Sequence, residues 1–480
     1  MAGSRSGNPT RPLPHAVDLQ SPCPVMGQAR KRLPGAVFQL PDVMVGGAGT
    51  GVRESVLQGL WSSARRDSLR SDAFWAHGRT RSAAAQRKSR ARVILTWNRQ
   101  APQGSRALRN PNASRRSVKE VIRRLAARTL DVRAVQRVLQ RRNRGRGIIF
   151  MLHRIGAPGQ RHAEPTPDTL REVLSFLRRH EFLIVRVGEL LRRIQTPGEK
   201  TELCVAFTLD DGYRDQARLG APVFAEFDTP ATIFPVAGFV DGSLWMWWDR
   251  LEWMVAHSQG ERIRLDLSGF RPTPSEGPET LELDLGTLDS RRRSLEQALG
   301  VLKELPAAQR DRVLDDLAER CGVTLPASPP DEYAPMTWDD ARACEAMGVT
   351  IGPHTVTHPI LAREADEAAR REMETSWDRV SEEVLDPEPV FCYPNGKTGD
   401  FGRREMKVAR QLGLQGALSA EPGYVKPSAV LGESGLGRYA LPRFSLPHNR
   451  PPFIRIVSGL APDEGGLAVG EGAPPPSATE

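Results

Sequence analysis

Cysteine, long apolar runs and acidic residues near the start are all scarce in this chain of 480 residues, and each scarcity removes a class of protein. The five cysteines (Cys23, Cys204, Cys321, Cys344 and Cys392) are odd in number and include no C-x-x-C pair. Neither a disulfide framework nor a cysteine-rich zinc module is expected from them. No run of about 18 apolar residues occurs, so no transmembrane helix is predicted. The N-terminus lacks a charged segment followed by an apolar core, so no secretory signal is predicted either. The compartment is left open, cytoplasmic by default. Acidic residues are nearly missing from positions 1–146, which hold 7 of the 58 Asp/Glu but 30 of the 67 Lys/Arg. The rest of the chain carries 37 basic and 51 acidic residues, so a net charge of +9 conceals a basic N-terminal part and an acidic body.

What is present falls into segments. Residues 1–117 are rich in Arg, Ser, Gly, Pro and Ala and keep no period of 2 or 3.6 residues. Such a composition buries too little apolar surface to offset the entropy of ordering, and a disordered extension is expected. Its arginines are scattered rather than interleaved with aromatics, so nucleic acid is not expected as a partner. Across 118–146, Val118, Val121, Ile122, Leu125, Leu130, Val135, Val138 and Leu139 recur at helical spacing between arginines. This predicts a basic amphipathic helix, broken near Asp131, that either packs on the next domain or makes peripheral contact with an anionic membrane.

Residues 147–455 alternate strand and helix. Strands are predicted at 148–153, 182–185, 204–209 and 231–234, with helices at 166–180 and 214–227. After an interruption, further strands are expected at 349–351, 390–393, 415–419 and 441–446. Helices are placed near 365–385 and 402–412. Thr166 with Pro167 and Thr337 with Asp340 supply N-terminal capping signals. Alternation of this kind predicts an α/β fold with a parallel sheet or barrel. The interruption, 244–330, opens with Trp245, Trp247, Trp248 and Trp253 and continues in charged helical patterns. It reads as a largely helical insertion, its tryptophans anchoring it or stacking on sugar rings. Residues 456–480 read as a disordered Gly-, Ala- and Pro-rich tail.

The chemistry-bearing residues collect just after predicted strands. Asp210-Asp211-Gly212 ends one strand, His354-Thr355-Val356-Thr357-His358 follows another, and Tyr393-Pro394-Asn395-Gly396 and Arg443 to His448 follow two more. In a parallel barrel such exits share one rim, where active sites gather. His153, at the end of the first strand, belongs to the same rim. Two histidines and a carboxylate with open positions make a hydrolytic metal site. An adjacent second carboxylate is placed to take a proton.

The segments Phe207-Thr208-Leu209-Asp210-Asp211-Gly212, His354 to Pro359 and Phe391-Cys392-Tyr393-Pro394-Asn395-Gly396 resemble, in order and placement, the first three motifs of the polysaccharide deacetylase family. This is the NodB-homology domain of carbohydrate esterase family four. The resemblance implies a distorted (β/α) barrel and metal-dependent removal of N- or O-acetyl groups from an acetylated polysaccharide. It implies Asp210 as general base and Asp211, His354 and His358 as ligands of a divalent cation, most often zinc. It further implies the Tyr393 N–H as an oxyanion donor, Pro394 and Gly396 as shapers of the substrate-side turn, and His448, in Leu446-Pro447-His448, as general acid. Cys392 departs from the family, which often has an arginine there to brace the catalytic aspartate. A thiol cannot make that charge-assisted bond, and Arg443 is the expected replacement. Were it not, the chain would be a catalytically impaired carbohydrate-binding protein on the same fold.

Overall fold

The computed structural model describes residues 129–156, 165–196, 201–270, 279–432 and 435–463. The expectations for 1–117, for 118–128 and for 464–480 lie outside these residues. In chain order the elements are α1 (Arg133–Arg142), β1 (Gly147–Leu152), α2 (Pro167–Arg179), β2 (Leu183–Ile184), α3 (Val187–Gln195) and β3 (Cys204–Asp211). Then come α4 (Ala221–Glu226), β4 (Ala231–Pro235), α5 (Ala237–Val240), α6 (Trp247–His257), β5 (Arg262–Asp266), β6 (Thr280–Asp284), α7 (Leu288–Lys303) and α8 (Ala307–Cys321). The remainder are α9 (Trp338–Ala346), β7 (Val349–Ile351), α10 (Asp366–Glu383), β8 (Val390–Cys392), α11 (Arg403–Gln411), β9 (Gly416–Leu418), α12 (Pro427–Val430), β10 (Phe444–Ser445) and α13 (Arg450–Val457).

Strands β10, β1, β3, β4 and β7 lie side by side in that order, all parallel, and short β2 joins the start of β3. β8 pairs with β9, also in parallel. Single bridges complete the circuit: Ile351 of β7 with Pro387, just ahead of β8, and Leu418 of β9 with Leu441, just ahead of β10. Glu388 N donates to Ile351 O (2.7 Å) at the first seam and Leu441 N to Ala417 O (2.8 Å) at the second. The result is a distorted (β/α) barrel.

β3 is buried along its whole length because both its faces are covered, as expected of a central parallel strand. Alternate residues therefore serve two cores. Ile149, Cys204, Ala206, Phe234, Val390, Cys392 and Leu418 pack together with Val187, Leu190, Leu191 and Ile194 of α3. Leu190 and Ile194 lie against Gly147, at the start of β1, so α3 closes this core at the strands' N-terminal end. Phe150, Val205, Phe207, Leu209, Ile233 and Ile351 face outward, against helices including α2, α4 and α13. The sequence reading passed over α3, although its apolar residues recur at i, i+3, i+4 and i+7. The capping signals form as expected: Thr166 Oγ1 accepts from Thr169 N (3.1 Å), and Thr337 with Asp340 makes a reciprocal capping box.

The insertion and the two flanks of the barrel add to what was expected, and one boundary, at the C-terminal side, differs. The insertion is not helical throughout, because β5 and β6 form an antiparallel hairpin within it. Both strands alternate buried and exposed residues, a period of two that charged side chains obscure in the sequence. The hairpin and α6, α7 and α8 share a core of their own. At the C-terminal side the ordered chain runs beyond 455. Phe453, Ile454, Ile456 and Val457 of α13 are buried, and Tyr424 Oη donates to Ile456 O (3.0 Å). On the N-terminal side α1 docks on the barrel: Gln136 Nε2 donates to Ser458 Oγ (2.8 Å) and Gln140 Nε2 to His180 O (3.0 Å).

Candidate metal and catalytic site

β3 delivers its two terminal carboxylates in different directions. Asp210 shares the face of Cys204, Ala206 and Thr208, which is the barrel interior. Asp211 leaves the strand geometry, with φ at 83°, and Gly212 follows at 85°. A side chain at Gly212 would put its Cβ 2.6 Å from Pro235 Cβ, so only glycine lets the chain turn there against β4.

The histidines lie on a loop, as the prolines on either side of the pair, Pro353 and Pro359, lead one to expect. Thr355 and His358 adopt positive φ (65° and 57°), a strained conformation for such residues, and α10 starts only at Asp366. The loop is held from outside: Glu372 of α10 accepts from Val356 N (2.8 Å), Thr357 N (2.9 Å) and Thr357 Oγ1 (2.7 Å). His354 Nδ1 donates to Cys392 O (2.7 Å), which leaves the Nε2 lone pair free to ligate. Nε2 of His354 and Nε2 of His358 each stand 3.6 Å from Asp211 Oδ1. Two ligand atoms each about 2.1 Å from one tetrahedral cation are separated by roughly 3.4 Å. All three side chains are buried, and Nδ1 of His358 has no hydrogen-bond partner among the described residues. This donor set fits a divalent cation. Burial pushes His358 down to about 3, which keeps its ring neutral.

Arg443, 1% exposed, donates from Nη1 to Asp210 Oδ1 (2.7 Å) and to Thr208 Oγ1 (3.1 Å), and from Nε to Ser419 O (2.8 Å). Burial alone would raise the Asp210 carboxyl, but the charge and hydrogen bond of Arg443 outweigh it and hold Asp210 well below the usual carboxylate range. Burial raises the Cys392 thiol, which therefore stays neutral beside this pair. On the other oxygen, Asp210 Oδ2 stands 4.0 Å from Nε2 of His153, whose side chain is 51% exposed. Gln216 fixes that approach, donating from Nε2 to both His153 O and Asp210 O. Gln216 opens a π-helical turn, Gln216–Gly220, a local irregularity of the kind that gathers at functional sites. Its role was invisible in the sequence.

Not every expected residue meets the others. The Tyr393 N–H is donated to Leu418 O (3.2 Å), so the β8–β9 ladder takes the group expected to serve an oxyanion. The Tyr393 ring stacks on Phe401 at 3.9 Å, in the core under α10 and α11. Pro394 and Gly396 are buried in the same turn. Gly396 has φ at 63°, and a Cβ there would come within 2.8 Å of Ala420 N. His448 is exposed on the loop ahead of α13, and the imidazole placed against Asp210 is that of His153.

Residues 290–417 match the family model described as polysaccharide deacetylase, a span that includes His354, His358, Cys392 and Tyr393. Over that span the chain is similar to the polysaccharide deacetylase family, a likeness that supports a hydrolase acting on a non-peptide bond. Among solved structures, the Streptococcus pyogenes deacetylase PplD in complex with acetate is similar at 14% identity and a TM-score of 0.41, over 65% of this chain and 98% of that one. IcaB from Ammonifex degensii is similar at 14% identity and a TM-score of 0.40, over 66% and 97%. The BpsB deacetylase domain from Bordetella bronchiseptica is similar at 15% identity and a TM-score of 0.37, over 63% and 97%. No curated protein matches the chain in sequence. Asp210, Asp211, Arg443 and His153 lie outside the matched span and stand on geometry.

The insertion reaches this centre. Trp248 packs edge-on against His358, with ring centroids 4.8 Å apart, and donates from Nε1 to Tyr213 Oη (2.8 Å). Tyr213 Oη in turn donates to the buried carboxylate of Asp249 (2.7 Å). At least one of the four clustered tryptophans thus borders His358 and anchors the insertion at once.

Proposed function

We propose that this chain removes acetyl groups from a polysaccharide, by N- or O-deacetylation, with a divalent cation, zinc by its donor set, held by Asp211, His354 and His358. The observation that carries the reading is the meeting of these three buried donors beside a second carboxylate, Asp210, clamped by Arg443. When bound, the cation supplies positive charge that acidifies water and polarises the acetyl carbonyl. Asp210 keeps its charge at neutral pH because Arg443 holds Oδ1, and Oδ2 is left to take the proton from the attacking water. Water adds to the carbonyl carbon, the C–N or C–O bond breaks, and acetate leaves. The sugar nitrogen or oxygen then needs a proton, and His153 is the imidazole placed to give it, with His448 as the alternative donor. Arg443 supplies the brace that Cys392 cannot, which favours catalysis over glycan binding alone.

The test is acetate release from acetylated oligosaccharides together with metal content. Chelator and Asp210→Asn should each abolish release, and His153→Ala should lower kcat more than His448→Ala. Release that survives both chelator and Asp210→Asn would overturn the reading.

A further inference from the structure

In the first turns of α8, Arg310 is only 4% exposed, and its guanidinium carbon lies 4.8 Å from the centre of the Trp247 ring. Trp247 packs edge-on against Trp248 (5.6 Å), which borders His358 (4.8 Å). The guanidinium therefore stands behind Trp247, which packs on the Trp248 that borders His358, and its charge is felt at His358. Nearby cations are paired: Arg250 with Asp311 (3.2 Å) and Asp315 (3.0 Å), and Arg363 with Glu304 (2.5 Å). Arg310 is not. Among the described residues no carboxylate comes within ion-pair distance of its guanidinium, and its buried Nε has no hydrogen-bond partner. Burial pushes it down to about 10, with the charges of Asp311 and Glu364 only partly opposing this. A buried cation without a counter-charge is unfavourable for folding, and an anion that reached it would relieve that cost. The helix it sits on adds to the field. α8 starts after Pro306 with no side-chain cap and no acidic residue in its first turn, so its first N–H groups add positive field there.

We propose that Arg310 and the uncapped start of α8 receive an anionic group of the glycan, a carboxylate or a phosphate on a sugar near the acetylated one. This rests on the deacetylase reading and narrows its substrate class to acidic acetylated polysaccharides. The insertion then sets specificity: its tryptophans border the reacting sugar and its arginine selects a charged neighbour. A guanidinium suits either oxyanion because its donors match two oxygens at once.

The test compares acetate release by the full chain from neutral, uronate-bearing and phosphate-bearing acetylated oligosaccharides of equal length. One anionic substrate should exceed the neutral one in kcat/KM by about tenfold or more, a typical gain for one charge-assisted contact. Arg310→Gln should collapse that ratio, and the responding arm identifies carboxylate or phosphate. A ratio near one in the unaltered chain, or a ratio unchanged in Arg310→Gln, overturns the proposal. A second measurement separates this from failure of the deacetylase reading: calorimetric binding of the same oligosaccharides, without acetyl groups, to Asp210→Asn with and without Arg310→Gln. Arginine-dependent binding without acetate release would sink the deacetylase reading and keep this one. Finally, Arg310→Met should raise Tm or leave it unchanged in the absence of glycan, since it removes an unpaired buried charge. A clear fall in Tm would assign Arg310 a purely structural role over Trp247.

Discussion

The contact between Asp210 and Arg443 joins residues 233 apart in sequence and decides what the first carboxylate can do. Neither partner is exposed, so each is tolerable only because the other is there. Removing one side of a buried pair leaves the other charge stranded, which costs about 3–5 kcal/mol. Arg443→Ala should lower unfolding stability by about that amount in a urea titration. The pH dependence should also change sign. In the native chain the Asp210 pKa lies below its unfolded value. The pair's contribution is therefore fully present above the unfolded carboxylate value, about 3.9, and is lost as pH falls through the lower folded one. Without Arg443 burial is opposed only by the weaker charges of His153 and His354, so the folded pKa rises, and where it passes the unfolded one stability falls as pH rises instead. The acid limb of the activity profile should then move upward by about one unit or more; an unmoved limb would show that Arg443 does not set the charge of Asp210.

At the level of elements, the site is built from strand exits whose loops are forced into conformations that their sequences do not favour. Asp211, Thr355, His358 and Asn395 all have positive φ, and all belong to the three motif segments. What holds the histidine loop is Glu372, whose carboxylate takes two backbone N–H groups and a hydroxyl between His354 and His358. Glu372→Ala should therefore weaken zinc binding by about 10–100-fold, the usual effect of losing an outer support of ligands. The measurement is a competitive zinc titration. Equal affinity in the variant would mean that the loop keeps its shape without Glu372. The charged face of the β5–β6 hairpin explains why a helical insertion was expected: its buried residues are small in number and spaced by two, while the neighbouring helices dominate the composition.

Across the whole molecule, the ends of the barrel domain are tied together. Gln136 of α1 donates to Ser458 Oγ, 322 positions away, and also to Leu130 O (2.6 Å), so one buried amide fastens the entering helix beside the departing one. Asn143 repeats the tie through Ser458 O (3.2 Å). Gln136→Ala would leave buried partners unsatisfied and should cost about 1–3 kcal/mol in denaturant unfolding. A change within experimental error would show that α1 is dispensable to the domain. Between α1 and the barrel lie further charged contacts, with Arg133 and Arg137 both reaching Glu181. The described half of the predicted basic helix is thus engaged with the domain, although Val132 and Val138 remain exposed.

Periodicity, caps and turn residues act over a few positions, which is why the strand–helix alternation, the Thr166 and Thr337 caps and the strand-end placement of Asp210, Asp211, His354 and His358 were legible in the sequence alone. The motif segments also carried the family resemblance and the donor types. The long-range matters were not local. Arg443 meeting Asp210, His153 rather than His448 standing against it, the ladder taking the Tyr393 N–H, and Arg310 left unpaired behind Trp247 all depend on how distant elements pack. Side-chain type tells which bonds a residue can make; only the closed barrel, with the insertion seated on its rim, decided which partners came within reach.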